Sequence, residues 1–246
     1  MADWINFYDL RHSLIYVNAH HRDVHYRKIA EELRGYIPSL SARVMDYGCG
    51  EATSAALVAS ACAALTLVEA APNLYAALSA HYAGNSKITV LTPEQAAALP
   101  DHSFDLIVLH SVAQYLTGEQ LNGLLETFRR LLIPDGLLLL GDIVRPRFAV
   151  PAAALSLLRF SAANGFFWSA VGGLIRIFVS DYLRLKKTVG LSHYEPGAML
   201  EKLRRAGYAA ERAPRNIGHN PWRVTFLARL LKSPADNEAR RQVTRH

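Results

Sequence analysis

The stretch Val44–Ala52, VMDYGCGEA, runs an apolar segment into an acid and two glycines spaced one residue apart. A strand that ends in Asp46-x-Gly48-x-Gly50 and feeds a helix makes a turn whose missing Cβ atoms let a ligand approach the backbone. A plain tight turn uses glycine for the same conformational reason. The stretch therefore decides the fold only together with the residues downstream of Ala52. Its next expected glycine position holds Ala52 itself, and the spacing is not the G-x-G-x-x-G of dinucleotide binders.

Around this turn, ARVMDYG reads as a short buried strand and TSAALVASACAAL as an alanine-rich helix. LTLVEA is a second strand closed by Glu69, and a helix opens at Pro72 and runs through NLYAALSAHY. KITVL alternates as a third strand, and FDLIVLHS is a fourth whose continuous apolar run suits a strand covered on both faces. GEQLNGLLETFRRLL is an amphipathic helix, PDG a turn, and LLLLGDIV a fifth strand. Upstream, His20–Tyr36 reads as a helix with Val24, Ile29 and Leu33 facing inward. Such alternation predicts an open, mostly parallel sheet. The helix PGAMLEKLRRAGY comes later, then two short strands, AAERA and RVTFLARLL, joined by PRNIGHNPW. The chain is expected to be one domain over 1–246, with a helical lid at 1–40, a helical cap inserted at 145–192 and a flexible tail at 233–246.

With 51% apolar and 20% charged residues among 246, the composition is that of a globular protein rather than a disordered one. Cys49 and Cys62 fit neither a disulfide framework nor a metal-ligand spacing, and no cluster of carboxylates points to a metal. With no secretion signal at the N-terminus, a cytoplasmic protein is expected. The net charge of +6 resides in one segment, Ile143–Ser192, which carries Arg145, Arg147, Arg159, Arg176, Arg184, Lys186 and Lys187 against the single acid Asp181. That concentration points to an acidic substrate or a membrane surface more than to general nucleic-acid affinity. No charge occurs from Phe160 to Ile175, too short a run for a bilayer span of about 20 residues. Two readings remain for the segment: a helical cap that covers the site and excludes water, or a cap whose apolar face, over 155–187, also meets a membrane or lipid-like substrate.

In order and spacing, the glycine turn, Glu69, ALPDHSFDLIVLHSVAQYL and FRRLLIPDGLLLLGD resemble class I S-adenosylmethionine-dependent methyltransferases, especially the small-molecule group of the type 11/12 kind. The resemblance is close over Arg43–Val144 and loose over the C-terminal hairpin. It implies a Rossmann-like, doubly wound α/β fold: a mostly parallel seven-stranded sheet with a C-terminal antiparallel hairpin and a helical insertion after strand five. It implies S-adenosylmethionine as cofactor and S-adenosylhomocysteine as product.

By position, Asp46 would orient the glycine loop and the methionine end. Gly48 and Gly50 would let backbone pass beneath the cofactor, Glu69 would hold the ribose, and Ala70 would pack on the adenine. The family's Asp-Ala pair after strand three is replaced by TPEQAA, so Glu94 or Gln95 takes the adenine amine. His110 and Ser111 would leave strand four beside the sulfonium.

Ligands of open parallel sheets bind beyond the carboxyl ends of the strands. That rule adds Tyr16, Gln114 and Asn220 as substrate-binding candidates, with Tyr8, His12 and His20 in the same N-terminal stretch as Tyr16. His110, His219 and Tyr115 become candidates for catalysis, because a neutral imidazole suits proton removal near neutral pH. The expected acceptor is a small organic molecule, apolar, lipid-like or anionic. The competing functions are RNA methylation, in which the segment's aromatic residues would stack bases, and cofactor binding without turnover.

Overall fold

The computed structural model describes Ile5, Asp9 and residues 16–146, 150–179 and 192–231. Seven strands form one sheet in the order β3-β2-β1-β4-β5-β7-β6. β1 (Arg43–Tyr47) lies between β2 (Ala64–Val68) and β4 (Phe104–His110), with β3 (Ile88–Leu91) outside β2 and β5 (Leu132–Ile143) outside β4, all parallel. β6 (Tyr208–Arg212) and β7 (Val224–Leu230) form the antiparallel hairpin, β7 pairing against β5. The strand order reverses between β1 and β4, which opens a crevice at their carboxyl ends.

Eight helices of four residues or more are described: α1 (Ala19–Arg34), α2 (Ala55–Ala59), α3 (Pro72–Tyr82), α4 (Pro93–Ala97), α5 (Gly118–Leu131), α6 (Val150–Ala163), α7 (Phe167–Val179) and α8 (Pro196–Arg205). They cover both faces of the sheet. Met45, Ile107, Leu109, Leu138 and Leu140 pack on one side with Leu121, Leu125 and Phe128 of α5 and Met199 and Leu203 of α8. Val44, Leu65, Leu67, Leu106 and Val108 pack on the other with Ile29 and Leu33 of α1 and Val58 of α2. The alternation along each strand explains the unbroken apolar runs, since both faces are buried. Each fully buried side chain of this size contributes about 1.5–3 kcal/mol.

Two expectations are corrected. The helix expected over 53–65 is only Ala55–Ala59, because Ala63 and Ala64 already donate to the Ala42 carbonyl as β2 begins. Alanine-rich sequence carries no signal for where such a helix stops. The PDG turn is a bulge inside β5 rather than a break before it: Leu132 pairs with Phe104 and Leu137 with Leu106, leaving Ile133–Gly136 as the irregular segment. Of the N-terminal stretch, Tyr8 and His12 lie outside the described residues, as do residues 180–191 of the cap and the tail from 233.

Candidate functional site

The glycine turn is held by its neighbours. Gly48 and Cys49 donate to the Val68 carbonyl at 2.8 and 3.2 Å, and Gly50 donates to Glu69 Oε2 at 2.9 Å. Gly48 and Gly50 adopt φ values of +73° and +61°, which side-chain-bearing residues rarely do. A Cβ on Gly48 would stand 2.4 Å from Val112 Cγ2, and one on Gly50 would stand 2.6 Å from the Tyr26 hydroxyl. Ala52 also takes a positive φ, +41°, so the missing third glycine is replaced at a conformational cost rather than by a different turn.

Above this turn lies an open crevice of about 740 Å³. Of the residues singled out in the sequence, Gly48, Gly50, Glu69, Ala70, Glu94, His110, Ser111, Tyr115 and Tyr16 line it. Ile5 adds a residue of the N-terminal segment to the wall, and Asp9 caps the start of α3 by accepting from the Asn73 backbone and side-chain amides at 2.7 and 2.8 Å. Gln95 is used elsewhere: it closes a capping box with Thr92 at the head of α4, leaving Glu94 as the side chain on the crevice.

Other candidates lie apart from the crevice. Asp46 lines a smaller cavity behind the turn, under α1, where burial first and the Glu69 charge second push its carboxyl up to about 7. Gln114 is buried, donating to the Ser111 carbonyl and accepting from Arg223. The Asn220 side chain closes a local turn by accepting from the Trp222 amide. His219 stacks on Phe160 with ring centroids 4.7 Å apart, and its Nδ1 is buried without a partner. Burial above all lowers its pKa.

His110 sits in a slot. Its Nε2 lies 3.3 Å from the Ile217 carbonyl, and a Cβ on Gly141 would stand 2.5 Å from its Cδ2. A carbonyl only accepts, so Nε2 carries a proton, and in the neutral ring the lone pair is then on Nδ1. The adjoining Ser111 and Asp142, both at positive φ, are joined by a 2.7 Å hydrogen bond from the hydroxyl. Burial alone would raise the Asp142 pKa, but Arg223, His110, Ser111 and Asn216 together bring it below the usual range. Arg223 reaches its carboxylate at 3.0 Å.

Sequence reasoning missed Asp142 and Arg223, which support the ends of β4 and β5. It also missed His25 and Tyr26 on α1, which line the crevice. The available signal was the apolar spacing of α1, which turns His21, His25, Ile29 and Leu33 toward the sheet. His21 and His25 also form an H-x-x-x-H pair, a spacing that can serve a metal. Among the described residues no group of His, Cys, Asp or Glu is arranged to hold a metal ion. Cys49 lines the crevice, but burial first and the charges of Asp46 and Glu69 next push its thiol well up, which makes it a poor nucleophile.

The helices α6 and α7, within the segment expected as a cap, rest on the start of α1. Gly173 lets α7 approach Val17, where a Cβ would come within 2.4 Å, and His20 Nε2 donates to the Asn164 carbonyl at 2.8 Å. None of their described residues lines the crevice. No helix among the described residues is long and apolar enough to cross a membrane.

A family model described as a methyltransferase domain matches residues 45–140. Among solved structures, that of DhpI in complex with SAH has a TM-score of 0.60 at 12% identity over 93% of this chain and 96% of that one. The Burkholderia thailandensis 1,6-didemethyltoxoflavin-N1-methyltransferase, with bound 1,6-didemethyltoxoflavin and S-adenosylhomocysteine, has a TM-score of 0.57 at 15% identity over 94% and 86%. A putative methyltransferase in complex with the Haloferax volcanii Trm112 activator has a TM-score of 0.59 at 11% identity over 94% and 99%. At these identities the likeness is one of fold. A search of curated proteins finds no match to the sequence.

Proposed function

We infer the activity from one premise: the chain is a class I S-adenosylmethionine-dependent methyltransferase of the group that the matched domain defines. Its reaction is methyl transfer to a small molecule, and we propose that the acceptor is uncharged and largely apolar. The supporting observation is the glycine turn with its Glu69 tie, which opens onto a crevice of about 740 Å³. The residues fit S-adenosylmethionine, because the floor lacks a Cβ at Gly48 and Gly50 and a buried carboxylate closes the adjoining strand. Glu69 would hold the ribose, Ala70 and Glu94 would meet the adenine, and Gly48, Gly50 and Ser111 would face the methionine end, with Asp46 supporting the turn from behind. That cofactor supplies an already activated methyl group.

The protein's task is then alignment and proton removal. His110 carries its lone pair on Nδ1, which suits it to take a proton from the acceptor. Tyr16 is held as a neutral phenol, its pKa pushed up to about 12 chiefly by burial, and can donate a hydrogen bond. Tyr115 adds a wall. No lysine or arginine occurs among the described lining residues, so an anionic acceptor would meet no Lys or Arg side chain among them. Arg223, behind Ser111, is already engaged by Asp142 and Gln114.

Calorimetry with S-adenosylhomocysteine tests the cofactor site. A labelled-methyl assay against quinone, lipid and RNA extracts tests the acceptor class. Saturable binding with label in small apolar products is expected; no binding, or label in RNA alone, would overturn the reading.

The exposed face of α7 supports a second, separate proposal of peripheral lipid contact. Trp168 is 82% exposed and Ile175 61%, one helical face apart from the buried Ala170 and Gly173. Arg159 on α6 is exposed as well. Co-sedimentation with anionic vesicles should be salt-sensitive and lost in Trp168→Ser/Ile175→Ser; no binding by the intact protein removes the proposal.

A further inference from the structure

His25 has no place in the roles assigned so far. It lines the crevice from α1, while His110 lines it from the end of β4. Its ring meets Tyr16 at a centroid distance of 5.7 Å, Tyr26 at 5.8 Å and His219 at 5.7 Å. These contacts fix the ring by packing alone: neither nitrogen hydrogen-bonds any described residue. The two neighbouring imidazoles differ. His21 Nε2 and His219 Nδ1 are sealed beneath Phe160 and Phe166, whereas the nitrogens of His25 are not among the sealed, unpartnered atoms. A polar edge packed on aromatic rings and left unused by the described residues is a hydrogen-bonding site for whatever enters the crevice.

The two crevice imidazoles also differ in what they can offer. The Ile217 carbonyl fixes the proton of His110 on Nε2 and leaves Nδ1 to accept. No described residue fixes the tautomer of His25, so it can accept or donate. Five tyrosines are among the lining residues, and the described lining carries no Lys or Arg to meet a carboxylate or phosphate.

We propose that His25 binds a polar edge of the acceptor opposite His110, and that the acceptor is an uncharged aromatic ring bearing a hydroxyl or N–H. This rests on the reading of the crevice as a methyl-transfer site. Burial keeps His25 neutral, its pKa lowered to about 3 chiefly by desolvation, so it does not add a positive charge that would attract an anion.

The probes are phenol and benzoate, which share a ring and differ in charge, added to protein loaded with S-adenosylhomocysteine. Ring ¹⁵N resonances of His25 are assigned by their loss in His25→Gln. Phenol should move them and should bind roughly tenfold more tightly than benzoate. His25→Phe should weaken phenol roughly tenfold, and His25→Gln less, with S-adenosylhomocysteine affinity unchanged in both. Resonances unmoved by millimolar phenol, benzoate binding as tightly as phenol, or phenol affinity unaltered by His25→Phe would each overturn the proposal. Wild-type protein that fails to bind S-adenosylhomocysteine would instead overturn the site reading, and this inference with it.

Discussion

Glu69 spans the turn and its own strand end: Oε2 accepts from the Gly50 amide at 2.9 Å and Oε1 from the Ala71 amide at 2.8 Å. The side chain read as a ribose ligand is thus also the clamp that sets the glycine loop. Ligand and loop share one carboxylate, so cofactor affinity and stability should fall together when it is changed. In Glu69→Gln one oxygen becomes an amide NH₂ facing a backbone N–H, which costs about 1–3 kcal/mol. Thermal melts should show the loss, and calorimetry should show S-adenosylhomocysteine binding weakened at least as much. Weakened binding with an unchanged melt would show that Glu69 does not hold the turn.

Gly50→Val separates the turn's conformation from its charge. The new Cβ would meet the Tyr26 hydroxyl at 2.6 Å, and that hydroxyl already accepts from the Glu51 amide at 2.9 Å. Valine is also strained at φ +61°. Backbone strain of about 1–3 kcal/mol is expected. Cofactor binding should be abolished in calorimetry while far-ultraviolet circular dichroism keeps its native shape. Retained binding would show that the ligand does not pass over Gly50.

Much of this was legible in the sequence because it depends on local pattern. Buried parallel strands produce unbroken apolar runs such as Leu106–Leu109, and the glycine turn and Glu69 follow from spacing along the chain. The boundaries of α2 and the β5 bulge were not legible, since alanine favours no stopping point and PDG suits a bulge as well as a turn. The distribution of loop side chains was harder still. Gln114, in a 3-10 turn after β4, and His219 and Asn220, in the loop before β7, all lie at the carboxyl edge, yet Gln114 serves Arg223, His219 stacks on Phe160 and Asn220 closes its own turn. The choices of Gln114 and His219 depend on long-range partners, that of Asn220 on its local turn. His25 shares the inward side of α1 with Ile29 and Leu33, so its face was legible, but not that this end of the helix borders the crevice.

Asp46 makes stability pH-dependent. Its carboxyl is raised from 3.8 to about 7, by burial first and Glu69 second. The folded state therefore keeps a proton that the unfolded chain has already lost between those values. Stability contributed by this site is full below the lower value and is lost as pH rises through about 7, by at most about 1.4 kcal/mol per pH unit. Asp46→Asn removes the titration while keeping nearly the same shape. Urea midpoints at about pH 5 and about pH 8 should differ less in the variant, with the variant more stable at the higher pH. An unaltered difference would show that Asp46 is ionised throughout.

Gly141→Ala tests whether the placement of His110, rather than its mere presence, matters. The added methyl would stand 2.5 Å from Cδ2 and 3.3 Å from Cγ of the ring, so the imidazole must rotate out of its slot. Rotation breaks the 3.3 Å contact with the Ile217 carbonyl, and with it the preference that leaves the lone pair on Nδ1. Gly141 is not among the crevice-lining residues, so S-adenosylhomocysteine affinity should hold. A misplaced proton acceptor can cost about 10²-fold in rate, which the labelled-methyl assay would register. Ring ¹⁵N shifts should move His110 from one tautomer in the wild type to a mixture in the variant. A full rate with a mixed tautomer would mean that proton removal does not pass through His110. An unchanged tautomer with a lost rate would place the effect on β5 itself.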